Sequence, residues 1–136
     1  MKKIIIGIDV SKLKLDLCVL IGDKISQEVV VSNTISDLSK FFKKFLKVHT
    51  VSEILVCCEH SGHYTHILRS VCGHFGLDLW LENPYQIKHS SGLVRGKNDK
   101  VDARRIAEYC SRFKDKAKLY SWPDAKIASL KVLLSE

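Results

Sequence analysis

The chain has 136 residues, 46% hydrophobic and 27% charged, which is the composition of an ordinary soluble globular domain and excludes a disordered or low-complexity chain. Lys and Arg total 22 against 15 Asp and Glu, a net charge of +7 with a pI near 9.2; this suits a polyanionic partner without requiring one. The opening MKKIIIGIDVSKLKLDLCVLIG has a basic tip and an apolar run, but Asp9, Lys12, Lys14 and Asp16 break that run short of a signal peptide or membrane span.

In chain order, KIIIGID (residues 3–9) is a continuous β-branched run, the pattern of a strand buried on both faces. LKLDLCVLI (13–21) alternates, turns at Gly22-Asp23, and is followed by a third strand over 25–34, so an antiparallel meander is expected. Ser36 is a candidate cap for a helix running to about His49, with Leu38, Phe41, Phe42, Phe45 and Leu46 on its apolar face. Lys40, Lys43, Lys44 and Lys47 fall on the other face, which reads most simply as solvated, with contact to DNA or a guide RNA as the rarer alternative.

A fourth strand, EILVCCE (53–59), precedes a helix from about His63 to Phe75 that Gly76 stops. LDLWLEN (77–83) is a fifth strand closed by Pro84, and a short helical piece begins at Tyr85. A polar connection (90–98) leads to a helix from Lys100 to about Phe113. Trp122-Pro123-Asp124 opens a last helix, with Pro123 in its first turn, and its Ile127, Leu130, Leu133 and Leu134 still recur where the sequence stops. That unfinished pattern reads as a piece of a longer protein. The order β-β-β-α-β-α-β-α predicts an α/β fold of ribonuclease H type, a mixed five-stranded sheet with an antiparallel first half and helices on its faces.

Four carboxylates stand out. Asp9 and Glu59 end the first and fourth strands, which are neighbours in such a sheet, and ligands collect at the carboxyl ends of strands. Acids also sit there simply because strands surface. Asp99 and Asp102 lie in the basic stretch RGKNDKVDARR; Asp99 suits a helix cap and Asp102 the first turn, worth about 0.3–1 kcal/mol against the helix dipole. Helical spacing, however, aligns both with Ile106, Tyr109 and Phe113, the side that faces the sheet. Clustered carboxylates repel unless a cation neutralises them, and hard oxygen donors suit Mg²⁺ or Mn²⁺. The lysines and arginines around them would then hold phosphates.

IGIDVSK (6–12), CEHSGHY (58–64), ENPYQIK (82–88) and, most specifically, KNDKVDARRIAEY (97–109) resemble the DEDD transposases of bacterial insertion sequences, a family that includes the Piv-type DNA invertases. The resemblance spans nearly the whole chain. It implies a RuvC-like catalytic domain in which Asp9, Glu59, Asp99 and Asp102 form the acidic tetrad and bind Mg²⁺ or Mn²⁺ for strand cleavage and exchange. DNA is the implied substrate, held by Lys12, Arg95, Lys97, Lys100, Arg104 and Arg105, in a homo-oligomer directed by an element-encoded guide RNA. Residues 1–115 are expected to form the catalytic domain and 116–136 the start of a helical linker. The family's serine nucleophile belongs to a second domain, so none of the serines here takes that role and this piece alone is expected not to recombine DNA.

Three rival readings are weighed. Actin-like ATPases share the first strand pair but place glycines after the aspartate, where this chain has Val10-Ser11-Lys12. A Holliday-junction nuclease would use the same tetrad with water as nucleophile, and a non-catalytic nucleic-acid-binding module would use the acids only as caps. His60, His63, His66 and His74 with Cys57, Cys58 and Cys72 lack zinc-ligand spacing. The five cysteines, odd in number and in apolar patterns, read as buried thiols of a cytoplasmic protein.

Overall fold

A computed structural model describes residues 2–60, 64–90 and 102–122. The apolar run at the N-terminus forms the central strand, β1 (Ile4–Val10), with Ile4, Ile5, Ile6 and Ile8 all buried. It pairs antiparallel with β2 (Lys14–Ile21), which pairs antiparallel with the edge strand β3 (Lys24–Ser32). The β2–β3 connection is Gly22-Asp23, both at positive φ (55° and 69°), the two-residue hairpin turn that this pair favours. On its other side β1 runs parallel to β4 (Ile54–Glu59), and β4 runs parallel to β5 (Asp78–Glu82). The sheet order β3-β2-β1-β4-β5 is the mixed sheet expected from the order of elements.

Side-chain alternation divides the core into two layers. Ile4, Ile6, Ile8, Leu15, Leu17, Ile54, Val56 and Leu79 face one side, where α1 (Ile35–Phe45) and α2 (His66–Phe75) cover them with Leu38, Phe42, Leu68 and Val71. Ile5, Cys18, Leu20, Leu55, Cys57 and Trp80 face the other, beneath α3 (Pro84–Ser90) and α4 (Ala103–Arg112), which contribute Ile87, Ile106, Ala107 and Tyr109. Cys57 and Cys58 thus lie on opposite faces of β4. Among the described residues, no helix is long and apolar enough to cross a membrane.

Several boundaries differ from the sequence-based expectation. α1 begins at Ile35 because Thr34, not Ser36, is its cap: the Thr34 hydroxyl accepts from the Asp37 N–H at 3.2 Å. It ends at Phe45, with Lys47, Val48 and His49 continuing in tightened turns. Pro84 opens α3 rather than only closing β5, and the Asn83 carboxamide caps it by accepting from the Tyr85 N–H at 2.7 Å. α4 begins at Ala103, three residues after the expected start, because Asp102 has extended backbone and caps it. Gly76 stops α2 in left-handed geometry as expected, and the Leu77 N–H reaches back to the Cys72 carbonyl. The helix expected beyond Trp122 and the polar connection over 91–98 lie outside the described residues.

After α4 the chain wraps the outer edge of β5. Leu119 bridges Trp80 in antiparallel fashion, and the Tyr120 N–H donates to the Leu79 carbonyl at 2.7 Å. The Trp122 indole N–H donates to the Arg69 carbonyl at 2.7 Å and lies where a Cβ on Gly73 would meet it at 2.9 Å. This strap covers polar backbone that a bare edge would expose.

Gly7 carries the tightest packing. A Cβ there would lie 2.4 Å from the Ala107 nitrogen and 2.5 Å from the Ala103 carbonyl oxygen, both backbone atoms of α4 that cannot rotate away. Gly7→Ala is expected to destabilise by about 1–3 kcal/mol or more, read by urea unfolding. Burial also holds the thiols protonated: Cys18 is pushed up to about 11 by burial and then Glu28, and Cys58 and Cys72 are raised further, burial first in each case. The unfolded chain ionises these thiols near 9. Above that pH it therefore binds fewer protons than the fold does, so stability is expected to be level below about pH 9 and to fall as pH rises beyond it, measured by thermal unfolding across pH.

Candidate metal centre

The face of the sheet that carries α4 ends in a row of carboxylates. Odd-numbered residues of β1 face α4, so Asp9 follows Ile5 and Gly7 onto that side. Asp16 of β2 pairs directly with Asp9 and shares its face with Cys18 and Leu20. On β4, Glu59 follows Leu55 and Cys57; it and Asp9 each come one residue after the last parallel pair, Ile8–Cys58. Glu59 pairs in turn with Glu82 of β5. Neighbouring strands stand about 4.8 Å apart, so Asp16, Asp9, Glu59 and Glu82 form one line across four strand ends. Asp9, Asp16, Glu59 and Glu82 are all half-buried.

Asp102 approaches this row from above. The Gly7 contact presses the first turn of α4 onto β1, and Asp102 immediately precedes that turn. Its Oδ1 accepts from the Arg105 N–H at 3.0 Å. Asp9, Asp16 and Asp102 line one cavity of about 510 Å³, with Leu17, Glu28, Val29, Val30, Ala103 and Arg104 completing its wall. The expectation that Asp102 sits within the buried stripe of the helix is corrected: it is an exposed cap, and it reaches the site from the helix end. Asp99 lies outside the described residues, as do Arg95, Lys97 and Lys100.

Of the cations expected to hold DNA, Lys12, Arg104 and Arg105 are among the described residues, and Arg104 lines the cavity. Lys12 is exposed in the turn between β1 and β2, where the Ser11 N–H donates to the Lys14 carbonyl at 2.9 Å. Arg104 and Arg105 are exposed on the first turn of α4. Arg104 lies 3.8 Å from Glu28 with both side chains 54% exposed, so the pair contributes little and gives way readily to a stronger anion. Lys14 lies 3.7 Å from Asp16.

Asp16 and Glu82 were not among the sequence-based candidates. Glu82 is held at both oxygens: the Asn83 N–H donates to Oε1 at 2.8 Å and the Tyr109 hydroxyl to Oε2 at 2.7 Å. Burial, and then this bond, raise the Tyr109 hydroxyl, so it stays protonated as a donor.

The donor set has the chemistry of a hard divalent cation: carboxylate oxygens on a partly buried edge, where like charges need neutralising. Among the described residues, no three such side chains close around a single point. Asp9 and Asp102 share one cavity, and Glu59 ends the strand next to Asp9.

The family model of IS110-type DEDD transposases, described as "Transposase", matches residues 6–136. No curated protein sequence matches the chain significantly. Thermus thermophilus RuvC in complex with a Holliday junction substrate is similar to it with a TM-score of 0.57 at 16% identity, covering 86% of this chain and 99% of that one. Another Thermus thermophilus RuvC structure is similar with a TM-score of 0.55, at the same identity and coverage. At this identity the likeness is one of fold, and that fold is the RuvC-like ribonuclease H arrangement.

Because Asp102 is both cap and candidate ligand, two substitutions separate its roles. Asp102→Ala is expected to lower stability by about 1 kcal/mol, whereas Asp102→Asn, which caps equally well, stays within a few tenths, compared by urea unfolding.

Proposed function

Since the chain belongs to the IS110-type DEDD transposase family, we propose that Asp9, Glu59, Asp99 and Asp102 form its metal-binding tetrad for DNA strand cleavage. A transposase is a DNA-cleaving enzyme, and enzymes of the DEDD type use divalent metal. The observation that carries the residue assignment is the arrival of Asp102 at the cavity of Asp9, with Glu59 on the neighbouring strand end.

In this reading Asp9 and Glu59 hold Mg²⁺ or Mn²⁺ from the rigid sheet, Asp102 from the end of α4, and Asp99 from the segment before it. When bound, the metal supplies Lewis acidity at the scissile phosphate. Arg104 and Arg105, with Lys12, Arg95, Lys97 and Lys100, hold the DNA backbone and set which phosphate lies over the acids. The hydrophobic layer behind Asp9 and Glu59 keeps the floor of the site dry, which strengthens every charge interaction above it. A guide RNA and a homo-oligomer are further partners that this reading implies, and none of the serines of this chain serves as its nucleophile. Residues 1–115 act as the catalytic domain and 116–136 lead into a linker. A cytoplasmic location fits the five buried thiols, none of them in a disulfide.

Asp9→Asn and Asp102→Asn are expected to lose most Mn²⁺ binding in calorimetric titration while melting within a few degrees of the wild type. Wild-type affinity in both variants would overturn the tetrad assignment. The RuvC-like fold also supports a second reading, a nuclease acting on branched DNA. Metal-dependent cutting of a four-way junction by this chain, abolished by Asp9→Asn, would favour it over transposition alone.

A further inference from the structure

We propose that Glu82 and Tyr109 are positioning residues of the metal centre, with the Tyr109 hydroxyl fixing the Glu82 carboxylate beside Glu59. The inference rests on the metal-centre reading above. Glu82 pairs with Glu59 across β4 and β5 on the face that carries the acidic row. Two carboxylates on adjacent strands repel, and a solvated pair would relieve this by swinging apart. Glu82 cannot swing freely, because Oε1 accepts from the Asn83 N–H at 2.8 Å and Oε2 from the Tyr109 hydroxyl at 2.7 Å.

The donor is as fixed as the acceptor. Tyr109 is 7% exposed, with its ring against Trp80 (centroids 5.5 Å apart) and Phe113 (5.0 Å apart). Trp80 lies two residues before Glu82 on the same face of β5. The phenol is thus clamped by its ring and spends its one proton on Glu82. This arrangement holds the Glu82 carboxylate in one place at the end of β5, beside the strand end that carries Glu59. With each Glu82 oxygen already accepting one bond, its role is to shape the field and the space around Glu59. Groups just outside a metal's ligands tune the site, and losing one commonly weakens metal affinity about 10-fold or more.

The same bond also fastens α4. Gly7 fixes the helix's first half on β1, and Tyr109 ties its second half to β5. A purely structural role would therefore appear in stability alone, whereas a positioning role appears in metal affinity at matched stability.

The test uses Mn²⁺ as the ligand, its free concentration followed by electron paramagnetic resonance, with melting temperature measured in parallel. Tyr109→Phe keeps the ring and removes only the hydroxyl. It is expected to weaken Mn²⁺ binding about 10-fold. Glu82→Gln, which keeps the shape and removes the charge, is expected to weaken it comparably, and the double variant no more than the larger single effect. Asp9→Asn serves as reference. If Asp9→Asn loses Mn²⁺ while Tyr109→Phe and Glu82→Gln bind as the wild type does, the positioning role is overturned and the tetrad stands. If Asp9→Asn itself binds normally, both fall. Should Tyr109→Phe melt too low to compare, Glu82→Gln alone decides.

Discussion

The structure depends on one close approach, the backbone of α4 lying directly on Gly7. Any side chain at that position would meet the Ala103 oxygen and the Ala107 nitrogen well inside contact distance. Glycine beneath and alanines above let the helix sink closer to the sheet than larger side chains would allow. Because Gly7 and Asp9 share a face, and Ala103 follows Asp102, lowering the helix at that contact also lowers its capping carboxylate toward the strand end. The small residues of IGID and DARRIA thus translate into the distance between two acids.

Around that contact the charges are arranged by strand parity. Asp16, Asp9, Glu59 and Glu82 line up because β2, β1, β4 and β5 are in register and each acid falls on the α4 side. Behind them lies a largely apolar layer, so their repulsion is poorly screened on one side. Lys14 approaches Asp16, while hydrogen-bond donors occupy Glu82 and one oxygen of Asp102. Arg104, exposed on the first turn of α4, joins Asp9, Asp16 and Asp102 in the wall of the cavity.

Much of this was legible in the sequence because periodicity reports burial. The continuous KIIIGID run announced a strand covered on both faces, and Gly22-Asp23 and Gly76 announced their turns through backbone conformations that few residues accept. Asp9 and Glu59 could be found because each ends an apolar run. Less visible were choices between equivalent local chemistries. Thr34 and Ser36 are both competent caps, as are Asp99 and Asp102, and tertiary packing of the following helix decided each. Asp16 and Glu82 were missed because their significance is a matter of register. Counting parity from Cys18 and Trp80 places both on the α4 face, but only pairing across the sheet puts them beside Asp9 and Glu59. Tyr109 read as an ordinary core aromatic, since nothing local betrays where its hydroxyl points.

That Asp102 owes its place to β1 has a temporal consequence. The first strand and the last described helix, nearly the full span of the fold, must meet before the acids share a cavity. A chain emerging from the ribosome displays Asp9 at once and Glu59 some seconds later, yet Asp102 cannot face Asp9 across the cavity until α4 has been synthesised and has settled on Gly7. The parallel β1–β4 pairing adds a slow, non-local step of its own. The cavity that Asp9 and Asp102 share is therefore completed late, after most of the described chain has been made.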